Sequence, residues 1–389
     1  MNISSLGKRF RENIQTYIII ILLIVIWGVF AVVTEGNYLS SQNISNLFRQ
    51  MAVTSFLAAG MVLVMVIGGI DLSVGKLAGF VSVVVAVFQR DIWVKIIPDQ
   101  PILAAGLSVI VGLLTGLAFG SFQAYIIAYL RVPSFITTLG GQFILNGGIL
   151  LVTQGKTIAA NQPGFSAIGQ AYLPTNTGWI IAAGVVALLF VLMFRDRRTK
   201  VKYGFTLKPI YQDILKVAFF AVLVLLYVYV VNKFKGIQVP VLILAMTVIV
   251  VSYISTNTRF GRYAYALGGN REAARLSGIN IKKQTFLVFV LMGLLCGLGG
   301  VVLASYVGYG TISAGGGYEL DAIASCVLGG TSTLGGSGTI FGAVVGALIM
   351  ASLNTGLQMM NVSPALQYVL RGLVLVLAVI IDVYFKKSN

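Results

Sequence analysis

The chain has 389 residues, of which 58 % are hydrophobic and 10 % charged, and its formal net charge is +16. An ordinary soluble domain devotes about a quarter of its residues to charge. With a mean hydropathy of +0.94, this composition excludes such a domain and describes an all-α polytopic membrane protein. At ~20 residues per span plus loops the length holds roughly ten to twelve transmembrane helices, which leaves one membrane domain, residues 1–389, and no room for a soluble one. The positive charge falls in blocks between apolar runs, so it reports topology and not a nucleic-acid partner.

Apolar runs follow one another at 17–33, 51–68, 77–88, 102–130, 136–152, 179–194, 214–231, 241–253, 285–305, 322–334, 340–353 and 366–383. The first follows Lys8, Arg9 and Arg11 and exceeds the ~7–15-residue core of a cleaved signal, so it reads as a retained helix. Runs 77–88 and 322–334 are short for spans. Run 102–130 is longer than a ~30 Å hydrocarbon core requires, which predicts tilt or a break near 116–120. A second basic block holds Arg195, Arg197, Arg198, Lys200, Lys202 and Lys208, a third Arg259, Arg262, Arg271, Arg275, Lys282 and Lys283, and Lys386 and Lys387 close the chain. Even numbers of runs separate successive blocks. Short basic loops mark the cytoplasmic side, so both termini and 195–208 are expected there, with 34–50 and 153–178 outside.

Cys296 and Cys326 lie in apolar runs without metal or disulfide spacing, and the chain has no His. Neither a metal, a cofactor nor a catalytic constellation is expected. Three polar features remain. In GGIDLSVGK, Asp71, Ser73 and Gly75 follow an apolar run; Asp71 can cap a broken helix, line a passage or pair with Lys76 near the interface. In GYELDAIA, Glu319 and Asp321 precede a short apolar run and suit a first helical turn, but two residues apart they do not form an acid/base pair. The following glycine-rich stretch 329–338 lacks the Lys of a phosphate-binding loop and reads as a helix break or tight packing. The stretches 68–87 and 329–349 both set a glycine-rich polar turn before a small-residue apolar run, a faint internal echo of the paired broken helices of transporters.

The third feature is 261–283, a polar, basic island between two apolar runs. Its EAARLSG stretch, 272–278, is rich in small residues and suits a short helix that another protein approaches closely. Ala274 and Gly278 are four apart and so expected on one helical face with Ala273, Leu276 being a possible anchor; Glu272 and Arg275 have the spacing to pair with each other.

GGNREAARLSGIN at 268–280, GYELDAIASCVLGGTSTLGG at 317–336 and GIDLSVG at 69–75 resemble, in order, blocks of the permease subunits of bacterial ABC importers for monosaccharides, the ribose, galactose and xylose group. The likeness runs over about 38–382 and is nearest to D-xylose-type permeases, since the chain carries an additional apolar pair around a basic loop, 179–231. It implies a type II-like permease fold with Gly-rich broken helices, located in the bacterial cytoplasmic (inner) membrane and working by alternating access. It also implies a homodimer in membrane lipid, an ABC ATPase subunit inside and an extracytoplasmic sugar-binding protein outside. On this likeness Gly268, Gly269, Asn270, Glu272, Ala273, Ala274 and Gly278 form the ATPase-coupling segment, and a bulky Ala274 would separate the two subunits. The chain has no GxxxxGK[ST] sequence, so energy from ATP must come from a partner. The rival readings are a same-family permease for ribose, galactose, a nucleoside or a signalling furanosyl compound, and an ion-driven secondary transporter. The latter is disfavoured because Asp71, Arg131, Glu319, Asp321, Arg371 and Asp382 stand near the ends of runs.

Overall fold

A computed structural model describes residues 14–205, 207 and 209–387; Lys8, Arg9, Arg11 and Lys208 of the basic blocks lie outside the described residues. In hydrocarbon each backbone N–H and C=O needs a partner within the chain, so apolar runs become helices. They are α1 (Ile14–Val33), α2 (Ser41–Val66), α3 (Val74–Ile96), α4 (Pro101–Ala128), α5 (Ser134–Thr153), α6 (Pro163–Gln170), α7 (Thr175–Lys202) and α8 (Ile210–Asn232), then α9 (Val239–Asn257), α10 (Arg259–Gly269), α11 (Arg271–Leu276), α12 (Ile281–Val307), α13 (Tyr318–Leu328), α14 (Ile340–Met359) and α15 (Pro364–Lys387). Among the described residues 9 helices are long and apolar enough to cross a membrane, and α1 and α15 add the apolar stretches Ile20–Val33 and Pro364–Ile380. The protein is a multi-pass membrane protein. One antiparallel pair of two-residue strands, β1 (Ile158–Ala159) and β2 (Tyr309–Gly310), completes the regular structure among the described residues.

Several runs take different bounds from those expected. Helix α2 starts at Ser41, where the Ser40 hydroxyl accepts from Asn43 N, so the stretch expected outside, 34–50, is helical over its second half. Run 77–88 is the middle of α3, which continues through a π turn, Phe88–Trp93; there the Gln89 carbonyl accepts from Gln162 Nε2 at 2.9 Å. Run 322–334 is not a span, because α13 stops at Leu328 and a glycine-rich turn follows. The break expected near 116–120 is absent, and α4 is continuous. Its glycines instead let two backbones touch: a Cβ on Gly116 would come within 2.3 Å of Gly293 O and 2.7 Å of Gly297 Cα on α12, a spacing that small residues permit between membrane helices.

The 27-residue α12 fixes the two ends of the bundle. Near its start, Gly336 N donates to Val66 O at 2.9 Å and Tyr265 Oη to Gly338 O at 2.8 Å; this end carries α10, α11 and the Lys202 end of α7, and is the basic end. Near its finish, β2 pairs with β1, Ser305 Oγ accepts from Gly169 N at 2.7 Å, and Leu173 N donates to Ile237 O at 2.8 Å. Helices α2, α3, α12 and α14 form the core. Over its apolar window α2 is 78 % buried, whereas α7 and α8 are each 17 % buried and present most of their apolar surface outward.

Candidate functional site

Two non-helical breaks, one between the spans α2 and α3 and one between β2 and the short α13, meet inside the bundle. Between α2 and α3 the chain runs non-helically through 67–73, and most of its amides are satisfied individually. Gly69 N donates to Val64 O at 2.9 Å, Ile70 N to Ser134 Oγ at 3.2 Å, Leu72 N to Thr138 Oγ1 at 3.1 Å and Ser73 N to Asp71 Oδ1 at 2.8 Å. Asp71 is 3 % exposed. It folds back on the backbone two residues on, an Asx turn, and holds the start of α3 one residue before the helix begins. The Ser73 hydroxyl donates to the same Oδ1 at 2.6 Å and lies 3.0 Å from the Gln123 side-chain amide. Among the described residues no ion pair joins Asp71 to Lys76.

This break is internal. A Cβ on Gly69 would lie 3.4 Å from Phe289, and one on Gly300 2.5 Å from Ala78 O, so 69–78 runs alongside the middle of α12. There it meets the second break, between β2 and α13. A Cβ on Gly75 would come within 2.3 Å of Glu319 Oε2 and 2.4 Å of Gly315 O, and one on Gly79 within 2.3 Å of Ala314 O. Gly315 and Gly317 have φ of 69° and 83°, left-handed values that a side chain strains. The start of α3 and the segment before α13 therefore touch through main chain, with the Glu319 carboxylate also against Gly75.

Glu319 and Asp321 occupy the first turn of α13, both buried, where the helix dipole favours an acid. They point to different partners. Glu319 Oε1 accepts from Gln142 Nε2 on α5 at 3.4 Å. Asp321 Oδ2 stands 3.7 Å from Arg371 Nη1 on α15 and accepts from Asn354 Nδ2 on α14 at 3.5 Å, while Arg371 Nε donates to Asn354 Oδ1 at 2.7 Å. A buried pair of this kind is strongly destabilising to break, because the remaining charge is left uncompensated. Asp71, Glu319 and Asp321 stand at helix ends inside the bundle, whereas Arg371, expected near the end of a run, lies within α15.

At the basic end the segment expected to couple to an ATPase is built differently from its expected form. Asn270 Oδ1 accepts from Ala273 N at 2.9 Å and caps α11, which ends at Leu276. Gly278 lies beyond the helix with φ of 80°, so it shares no helical face with Ala274. Ala274 itself is buried, at 4 % exposure, and faces the chain's own body. The outward face is Glu272, Ala273, Arg275 and Leu276, with Leu276 82 % exposed and Glu272 paired to Arg275 at 2.9 Å. Gly268 is an internal contact: its Cβ would come within 1.7 Å of Val66 O and 2.7 Å of Gly336 N. Gly269 and Asn270 are exposed. A cavity of about 740 Å³ separates α11 from the first break, lined by Gly68, Gly69, Arg131, Arg271, Glu272 and Lys282 among others.

A family model described as branched-chain amino acid transport system / permease component matches residues 43–379. The chain belongs to this permease family. The permease is 41 % identical over 377 residues to the xylose transport system permease protein XylH of Haemophilus influenzae, covering 97 % of this chain and 98 % of that protein. It is 40 % identical to XylH of Escherichia coli K12, covering 97 % and 94 %, and 33 % identical to the ribose import permease protein RbsC of the same organism, covering 89 % and 87 %. No solved structure matches the permease. Its relatives are permease components of transport systems and not enzymes.

The permease brings Asp71, Ser73, Gly75, Glu319 and, through α13, Asp321 into one region, and keeps the residues of the expected coupling segment apart at the basic end. Sequence reasoning missed Gln123, Ser134, Thr138, Gln142, Asn354 and Arg371 as parts of that region. A signal existed for three of them: Ser134, Thr138 and Gln142 stand four apart in a largely apolar helix, so they form one polar stripe. That stripe serves both breaks.

Proposed function

We propose that the permease translocates a monosaccharide, D-xylose or a related pentose, across the bacterial inner membrane as the membrane subunit of an ATP-driven importer. The carrying observation is the meeting of two non-helical breaks inside an apolar bundle, coupled by main chain to the segment that ends in the exposed α11. Broken helices facing each other give a passage a place to open without exposing unsatisfied backbone to lipid. Similarity to the xylose permeases over almost the whole chain supports the substrate class.

In the mechanism, closure of two ATPase subunits pulls on α11. The α10 end bears on Val66 and Gly336 by backbone contact, so a displacement there reaches both breaks together. Asp71 and the hydroxyls of Ser134 and Thr138 hold the first break in register, and the Asp321–Asn354–Arg371 network ties the second to α14 and α15. A sugar-binding protein delivers substrate at the end that carries β1 and β2. A second copy of the chain, seated on the exposed apolar face of α15 (Leu366, Val369, Leu373, Val376), completes the passage.

Uptake of labelled xylose and ribose by proteoliposomes holding the permease with its co-encoded ATPase and binding protein tests this reading. Xylose should enter only with ATP inside and binding protein outside. Preferential ribose entry would move the substrate to the alternative pentose, and uptake driven by a proton gradient without ATP would overturn the importer reading.

A further inference from the structure

The α7–α8 hairpin ends in a charge pattern that the transport mechanism does not use. Helix α7 has 28 residues, and its stretch up to Phe194 is apolar and mostly unburied, so this part of the helix lies in lipid. The final turns, 195–202, rise about 12 Å further, the depth of the headgroup layer. Four charges there and on α8 are used locally: Arg197 pairs with Asp213, and Lys200 with Asp196 at 2.6 Å. Arg195, Arg198 and Lys202 are exposed and form no ion pair among the described residues. At spacings of three and four they share one helical face. Tyr203, Phe205 and Tyr211 flank them, 68 %, 67 % and 58 % exposed, and amphipathic aromatic rings at this depth belong to the membrane interface.

We infer that Arg195, Arg198 and Lys202, with the rings of Tyr203 and Tyr211, form a binding surface for the headgroups of anionic phospholipids. A row of cations facing outward, level with the phosphates and carried by a hairpin that borders lipid, is complementary to a negative leaflet. Each such cation near an anionic surface strengthens attachment by roughly fivefold. The surface anchors the hairpin independently of whichever sugar the permease carries.

The test uses the full-length permease in neutral detergent, titrated with phosphatidylglycerol or phosphatidylcholine, with bound lipid counted by intact-complex mass spectrometry. Wild type should hold phosphatidylglycerol in preference, and high salt should weaken the preference. The triple variant Arg195→Gln, Arg198→Gln, Lys202→Gln should lose most of it, while Arg195→Lys with Arg198→Lys should keep it. A control triple, Arg259→Gln, Arg262→Gln and Lys282→Gln, should leave it unchanged. Equal loss in the control would reduce the effect to total charge and overturn the inference. So would loss of ATPase copurification by the 195/198/202 variant with lipid binding intact, since the surface would then serve a protein.

Discussion

At the scale of single residues, Ala274 carries the sharpest change of expectation. Its spacing to Gly278 points to a small outward face, yet α11 ends before Gly278 and Ala274 is buried against its own chain. Ala274→Trp therefore overpacks the permease itself, at a cost of about 1–3 kcal/mol, and should lower its yield even when expressed without an ATPase. The variant that addresses docking is Ala273→Trp or Leu276→Asp. Both should leave a permease with an unchanged elution profile and thermal midpoint in detergent while abolishing ATPase copurification and sugar uptake; assembly and transport at wild-type levels would show that α11 is only a solvated segment. Asp71 makes a second residue-scale case. Asp71→Asn keeps an acceptor for Ser73 N and should retain most ATP-dependent uptake, whereas Asp71→Ala strands a buried amide at about 1–3 kcal/mol and should lower the melting temperature. Loss of transport in a well-folded Asp71→Asn would point instead to a titrating role.

At the scale of elements, the glycine contacts divide into packing and coupling. Gly116 and Gly293 bring α4 and α12 together, so Gly116→Leu should destabilise the permease in any assay of folding. Gly268 sits between the docking segment and Val66. Gly268→Ala should preserve the exposed face of α11 and hence ATPase binding, but uncouple ATP hydrolysis from uptake; coupled transport at the wild-type ratio would exclude the junction as the transmitting contact. The sequence made most of these elements legible, because hydrocarbon enforces helices wherever a run is apolar. It left the breaks harder to read. Run 102–130 invites a break at its glycines but is continuous, since those glycines are matched by glycines far away in α12 that no local pattern reveals. The polar stripe of α5 was visible as spacing, yet its purpose depends on 67–73 and Glu319 lying beside it. Asn354 and Arg371 gave no pattern at all, because their partner Asp321 is on a different helix.

At the scale of the whole molecule, we propose from the positive blocks and the even crossings that both termini and 195–208 are cytoplasmic. Replacement of Cys296 and Cys326, both fully buried, gives a background for labelling. A cysteine at the exposed Asn161 should then react with an impermeant reagent applied outside, and one at the exposed Thr199 should not; the reverse pattern would invert the molecule. The non-helical 67–73 segment keeps most of its polar backbone paired inside the bundle: the amides of Gly69, Ile70, Leu72 and Ser73 find partners from α2, α5 or Asp71.

The contact of Gly79 with Ala314, and that of Gly268 with Val66, are made by main chain on both sides. A clash between two side chains can be cured by shrinking the opposite one, but a carbonyl has no smaller substitute. Defects introduced at Gly79 or Gly268 should thus yield no second-site revertants at the residues they touch, and only true reversion or distant changes that shift a whole helix.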